Sequence, residues 1–381
     1  MPRTPMFSEP LHVGRPNVGD RARLLERING ALDRLWLSNN GPLVQELEER
    51  VASITGARHC VAVANATTGI QLAARACGIR QGQEVIVPAF TWIASPHALE
   101  WAGLVPVFCD VDEETATADP QSVEELIGPR TGGILGVHVY GRPCRVTELA
   151  KVAERHGLPL LFDAAHAFGS TYQQQPLGGF GSAEIFSFHA TKYINSFEGG
   201  ALVTNDDEVA ERVRAMRNLG LSPDRDIVSA GTNGRMSEIS AAMGLVSMDI
   251  MDDLIEVNMR NERWYREGLA GLPGVTVRAQ APKERANHQY LVLEIDAALS
   301  GVHRDTVHET LYAHNVYSRR YFYPGCHQSE PYVRDPAVHA PVPLPHTEAL
   351  SARALALPTG SAVGEAEVAG VCEIIRATVT A

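Results

Sequence analysis

From about residue 43 the chain alternates short apolar runs with stretches of helical periodicity, a pattern that calls for parallel strands joined by crossover helices. The runs are His59 to Val63, Glu84 to Val87, Val105 to Cys109, Gly133 to Val139, Leu158 to Phe162, Ile185 to Phe188 and Ala201 to Thr204. They predict an α/β fold on a sheet of about seven strands. Helical stretches such as Val146 to His156 separate them, and Gly41-Pro42 opens another with Leu43, Leu47, Val51 and Ile54 on one face. A proline-free pattern from Glu238 to Leu269 predicts one long amphipathic helix linking two domains. Beyond Pro273, the segments Val275–Val277, Tyr290–Ile295 and a helix near Arg304 to His314 read as a smaller α+β unit. The expected division is a large domain of residues 1–250 with the N-terminal segment, and a small C-terminal domain of residues 251–381. Residues 320–346, rich in Pro, Tyr and His, lack periodicity and are expected to form a loop that crosses the site, or one that only packs between domains.

Composition excludes several classes. Thirty-three Lys and Arg against 45 Asp and Glu give a net charge of −12, the wrong sign for neutralising nucleic-acid phosphates, so a DNA-binding regulator is disfavoured. No window approaches the roughly 18 apolar residues of a membrane span, and Met1 to Pro10 has no apolar leader core, so a cytoplasmic location is expected. Cysteines at 60, 77, 109, 144, 326 and 372 are too scattered for a C-x-x-C pair and are expected to be buried thiols. The 14 histidines show no metal-ligand spacing, and no structural metal is expected. A doubly wound dehydrogenase is disfavoured because no G-x-G-x-x-G follows the first strand.

Four segments carry chemistry. Ile185-Phe-Ser-Phe-His-Ala-Thr-Lys192 places a lysine just past an apolar strand, where a partly desolvated amine can form an imine with a carbonyl cofactor. Ser187 and His189 alternate before it and are expected to face one side, as donors to a phosphate or substrate oxygen. Leu158-Pro-Leu-Leu-Phe-Asp163 ends a strand in a carboxylate, which either pairs with a cationic ring nitrogen or caps the next helix. His59 to Val63 followed by Asn65-Ala66-Thr67-Thr68-Gly69 is a strand, a small polar turn and a helix start: an anion site or a plain N-cap. Trp92, in Pro88-Ala-Phe-Thr-Trp92, either lies against a planar ring or fills the core.

The order of these motifs resembles the DegT/DnrJ-type nucleotide-sugar aminotransferases, a branch of the fold-type I pyridoxal-phosphate enzymes related to aspartate aminotransferase. The resemblance rests on S-F-H-x-T-K with Glu198-Gly199-Gly200, the Asp163 segment, Val137-His138-Val139-Tyr140-Gly141 and Asn233-Gly234-Arg235-Met236. It implies an aspartate-aminotransferase-like fold with a mostly parallel seven-stranded sheet and a smaller C-terminal α+β domain. It also implies pyridoxal 5′-phosphate bonded to Lys192, with Asp163 on its ring nitrogen. Ala66, Thr67 and Ser187 would hold the phosphate, and Trp92 would stack on the ring. His166 stands where many members have Gln and would meet the cofactor hydroxyl. Asn233 would reach the phosphate of a neighbouring subunit, making the enzyme at least a homodimer.

Members with dehydratase chemistry carry histidine in place of the lysine, so Lys192 implies transamination. Glutamate is the expected amino donor. The expected acceptor is dTDP-4-keto-6-deoxyglucose, giving the 4-amino-4,6-dideoxy sugar for a secondary metabolite or surface glycan. A 3-keto sugar nucleotide or a cyclitol ketone is the alternative. Around the sugar we expect His189, Tyr193, Tyr321 and Tyr323, with Arg319, Arg320 or His327 at the diphosphate.

Overall fold

The computed structural model describes residues 5–380; Met1 to Thr4, part of the segment expected to lack a leader core, and Ala381 lie outside the described residues. The seven predicted strands form one sheet: β1 (His59–Val63), β2 (Glu84–Pro88), β3 (Val105–Cys109), β4 (Thr131–Val137), β5 (Leu160–Asp163), β6 (Ala183–Ser187) and β7 (Gly200–Thr204). Their spatial order is β1-β7-β6-β5-β4-β2-β3. Only β7 runs antiparallel, between β1 and β6, while β6, β5, β4, β2 and β3 pair in parallel. Alternate residues enter different cores: Cys60 and Ala62 pack into one cluster, Val61 and Val63 into the other. Both faces of the sheet are thus covered, which is why its strands read as nearly continuous apolar runs.

Local chemistry sets the helix starts. Helix α1 (Arg21–Asp33) is capped by Asp20, and α3 (Ala66–Ala76) by Asn65, whose side-chain oxygen accepts the Thr68 N–H. Helix α2 (Pro42–Thr55) has Gly41 at its N-cap and therefore no capping side chain of its own. A distant residue supplies one: the fully buried carboxylate of Glu238 accepts the N–H groups of Leu43 at 2.9 Å and Val44 at 3.0 Å. A Cβ on Gly41 would sit 2.6 Å from the Glu238 carboxyl carbon and would push that carboxylate off the two N–H groups it holds.

The long helix expected over Glu238 to Leu269 is two helices, Glu238–Asp249 and Met251–Gly268, because Ile250 leaves helical geometry at φ −109° and ψ 19°. The first is buried on nearly every side, whereas the second buries one stripe. A single straight helix could not satisfy both environments. The second does link two cores: Leu254 and Ile255 pack with the sheet, and Tyr265 with the C-terminal unit. That unit contains the antiparallel strands β8 (Val275–Val277), β9 (Leu291–Ile295) and β10 (Ala354–Leu357), in that order. Residues 7–12 join it as well. Phe7 and Leu11 pack in its core, and Leu11–His12 pairs in parallel with Val316–Tyr317, so this part of residues 1–250 is packed with the small unit. The 320–346 stretch is irregular but contains short helical turns at Cys326–Gln328, Tyr332–Arg334 and Pro336–His339.

Glu238→Ala should destabilise the protein by about 2–3 kcal/mol, because two N–H groups at a buried helix start lose a charged acceptor. Urea unfolding measures this; an unchanged midpoint and slope would mean that water or a neighbour caps α2 equally well.

Candidate active site

The carboxyl ends of β1, β2, β4, β5 and β6 lie at one edge of the sheet, and β7 begins at that edge, with Gly200 opposite both Val63 and Ser187. This edge is where ligands bind in open α/β sheets. It gathers the Asn65 turn, the Trp92 segment, Asp163 and the lysine segment.

Asp163, at the end of β5, is 6% exposed. Its Oδ2 accepts the Ser95 hydroxyl at 2.7 Å, and its Oδ1 accepts the Ala165 N–H at 3.0 Å. Burial pushes the carboxyl above its ordinary range, opposed by these two bonds and by the charges of Lys192 and His138. Lys192 is half-buried, and its Nζ donates to the Tyr290 hydroxyl at 3.0 Å. Burial lowers its amine to about 8, against the opposing influence of Tyr321 and Asp163. His166, 8% exposed, accepts the Tyr140 N–H on Nδ1 at 3.2 Å. Burial, then Lys192, hold this ring well below its usual range, so it is neutral with its proton assigned to Nε2.

The start of α3 is open to a ligand. Among the described residues, no protein acceptor takes the Ala66 and Thr67 N–H groups, while Asn65 holds Thr68. A Cβ on Gly200 would lie 2.8 Å from the Ala66 nitrogen, so only glycine lets β7 pass this helix start. Free N–H groups at a helix N-terminus suit a phosphate. Asp163, with one protein partner on each oxygen, retains acceptor capacity for a protonated ring nitrogen. These residues fit pyridoxal phosphate.

Trp92 is 53% exposed, with its ring edge-on to Tyr321 at 5.7 Å, so it does not fill the core. Tyr321 in turn meets Tyr290 at 6.0 Å. Ser187 is half-buried at the end of β6 and accepts the His189 N–H at 3.3 Å.

Several sugar-side residues differ from expectation. The strand ends at Ser187, so His189 does not continue its alternation; its ring meets Thr191 at 2.8 Å and Glu198 at 3.5 Å. Tyr193 is 4% exposed in the main core and donates its hydroxyl to the Phe168 carbonyl, so it presents no face to a sugar. Tyr323 is half-exposed but lies between Arg304 and Arg320, each 5.2 Å from its ring. Arg320 also pairs with Asp305. Arg319 is exposed, with its backbone bonded to Ala356. His327 sits in the Cys326–Gln328 turn, with its Nε2 3.5 Å from Glu348. Asn233 is exposed beside Gly234, whose carbonyl accepts the Ala64 N–H at 2.8 Å. Among the described residues, no group of three or more His, Cys, Asp or Glu is placed to hold a metal ion.

Ser95 and Tyr290 are the site residues that sequence reasoning missed. Ser95 lies three residues beyond Trp92 in α4 (Ala94–Trp101), and that spacing was its only signal. Tyr290 comes from the small unit, and nothing local links it to Lys192.

Because burial raises Asp163 above its unfolded value, the fold favours the protonated carboxyl; this stabilisation is present below the ordinary carboxylate range and lost as pH rises through the folded value. At neutral pH, Asp163→Asn without cofactor should therefore melt at or above the parent temperature. With cofactor, its turnover should fall roughly 100-fold. A lower melting temperature together with near-parent turnover would make Asp163 structural.

The chain matches the DegT/DnrJ/EryC1/StrS aminotransferase family over residues 19–376. It is 34% identical over 326 residues to the dTDP-4-amino-4,6-dideoxy-D-glucose transaminase of Escherichia coli, covering 84% of this chain and 85% of that one. It is 36% identical over 361 residues to the GDP-perosamine synthase of Caulobacter vibrioides, with 94% and 95% covered. The crystal structure of DesI in the presence of its TDP-sugar product matches with a TM-score of 0.94 and 52% identity, covering 99% of this chain and 95% of that one. The protein belongs to the DegT/DnrJ/EryC1/StrS aminotransferase family and is a pyridoxal-phosphate-dependent sugar aminotransferase.

Proposed function

We propose that the enzyme moves an amino group from L-glutamate to C4 of dTDP-4-keto-6-deoxyglucose, giving the 4-amino-4,6-dideoxy sugar for a secondary metabolite or surface glycan, and that it acts in the cytoplasm. The observation that carries this reading is that Lys192, with its lowered amine, and the buried Asp163 are brought to one sheet edge. Its substrate side is supported by likeness to DesI and to relatives named for 4-amino-4,6-dideoxy sugars.

Bound pyridoxal phosphate supplies a carbonyl that takes up amines and a ring that accepts electrons. Lys192 would anchor it, and its Nζ, with an amine lowered by burial to about 8, is placed to hold and move a proton at the reacting centre. Asp163 keeps the ring nitrogen protonated. The free N–H groups of Ala66 and Thr67, with the Ser187 hydroxyl, hold the phosphate, and neutral His166 offers an N–H to the cofactor hydroxyl. Trp92 and Tyr321, edge-on to each other, would flank the bound cofactor ring.

Incubation with glutamate, cofactor and a panel of nucleotide-linked keto sugars, followed by two-dimensional NMR of the product, tests the substrate. Nitrogen on C4 of the dTDP-linked sugar is expected. Nitrogen at C3, or activity confined to cyclitol ketones, would replace this substrate with the alternative.

The reading includes a homodimer in which Asn233 reaches the phosphate held by the other subunit. Its support is the exposed apolar surface of Leu25 and Leu32, seven residues apart on α1, with Leu35 and Trp36 beyond its end. Mixed Lys192→Ala and Asn233→Asp subunits should each be inactive alone. Their heterodimers should regain activity, since one of their two sites carries neither defect. Demonstrated heterodimers without activity would show that each site is built from one chain.

A further inference from the structure

We propose that Tyr290 is a further catalytic residue: its hydroxyl is the resting partner of the Lys192 amine whenever that amine is not bonded to the cofactor. The two residues come from different units of the fold, 98 positions apart, and meet at 3.0 Å. Tyr290 immediately precedes β9 and is 9% exposed. Its ring lies 4.4 Å from that of His166.

The strap before β9 fixes this tyrosine on both sides of the site. Asn287, fully buried, donates from Nδ2 to the carbonyls of His166 at 2.8 Å and Phe168 at 3.1 Å, just beyond Asp163. Gly141, at φ +85°, is held to glycine here, because a Cβ would lie 2.9 Å from both the Asn287 side-chain oxygen and the His166 carbonyl. Gln289 accepts the Tyr193 N–H at 2.9 Å, next to Lys192 itself. His288 is held by Glu262 at 2.6 Å. The phenol is thus rigidly presented, while a free lysine stem has many rotamers. Burial keeps the phenol protonated, against a smaller opposing effect of the Gln289 amide. A phenol oxygen can accept from the ammonium form and donate to the neutral amine, so it can hold Lys192 in either state.

A hydrogen bond to a charged group is roughly twice as strong as one between neutral groups, so the contact favours the ammonium form. Burial, the largest influence, opposes that form, while Tyr321 and then Asp163 favour it; His166, itself held neutral, also faces the amine. Removing the hydroxyl should lower the amine below its value of about 8.

The test uses cofactor-free protein and trace acetic anhydride across a pH series, with peptide mass spectrometry. The chain has three lysines, so Lys151 and Lys283 serve as internal standards for Lys192. In Tyr290→Phe, with an unchanged melting temperature, the Lys192 midpoint should fall by about half to one pH unit. A merely structural role would lower the melting temperature and leave the midpoint in place; an unchanged or raised midpoint overturns the proposal. Should that variant not fold, a nuclear Overhauser contact between the Lys192 methylenes and the Tyr290 ring in the unsubstituted protein supports it, and absence of that contact overturns it. The inference rests on Lys192 as the cofactor lysine. That assignment is read separately, by borohydride reduction of the loaded enzyme and peptide mapping, so the two failures are distinguishable.

Discussion

The site depends on how closely β7 passes the start of α3. An antiparallel strand lies between β1 and β6, and its first residue, Gly200, faces the last residue of each. With a side chain at 200, the Ala66 nitrogen would be 2.8 Å from a carbon, and the helix start would have to move away. Because it need not, the open N–H groups of α3 and the lysine segment after β6 share one edge. The parallel strands bring Asp163 to the same edge, since parallel pairing aligns all carboxyl ends.

Burial then gives these residues their chemistry. It pushes Asp163 and Lys192 in opposite directions on the pH scale, and for both it favours the uncharged form. Their mutual attraction and the Ser95 and Ala165 bonds counter this only in part. A ligand with a positive ring nitrogen and an anionic phosphate would satisfy the carboxylate and the helix start together. Burial meanwhile lowers the lysine amine to about 8, toward its neutral form. His166, buried against Tyr290, stays neutral and does not compete for the proton.

The hydrophobic pattern made the strands legible because both sheet faces are covered, leaving each strand a short unbroken apolar run. The same pattern misled at Glu238 to Leu269, where continuous periodicity hid the change of environment at Ile250. Tyr193 is expected at the sugar as an aromatic ring, yet the chain turns there and the ring enters the core. His189 left the expected alternation because β6 stops two residues earlier. Short polar segments allow such turns at almost no cost in hydrophobic pattern, so periodicity could not register them.

By itself, the sequence determined the α/β class and the strand set, and it placed an aspartate at one strand end and a lysine just past another. These follow from local spacing and apolar patterning, which the chain carries residue by residue. Tertiary structure alone decided that Glu238 caps a helix begun nearly two hundred residues earlier, that Ser95 grips Asp163, and that Phe7 and Leu11 belong with the C-terminal core. It also decided that Tyr290, from the small unit, touches the lysine amine. Each of these contacts joins segments distant along the chain, and such meetings are set by how the packed layers come together rather than by any local periodicity.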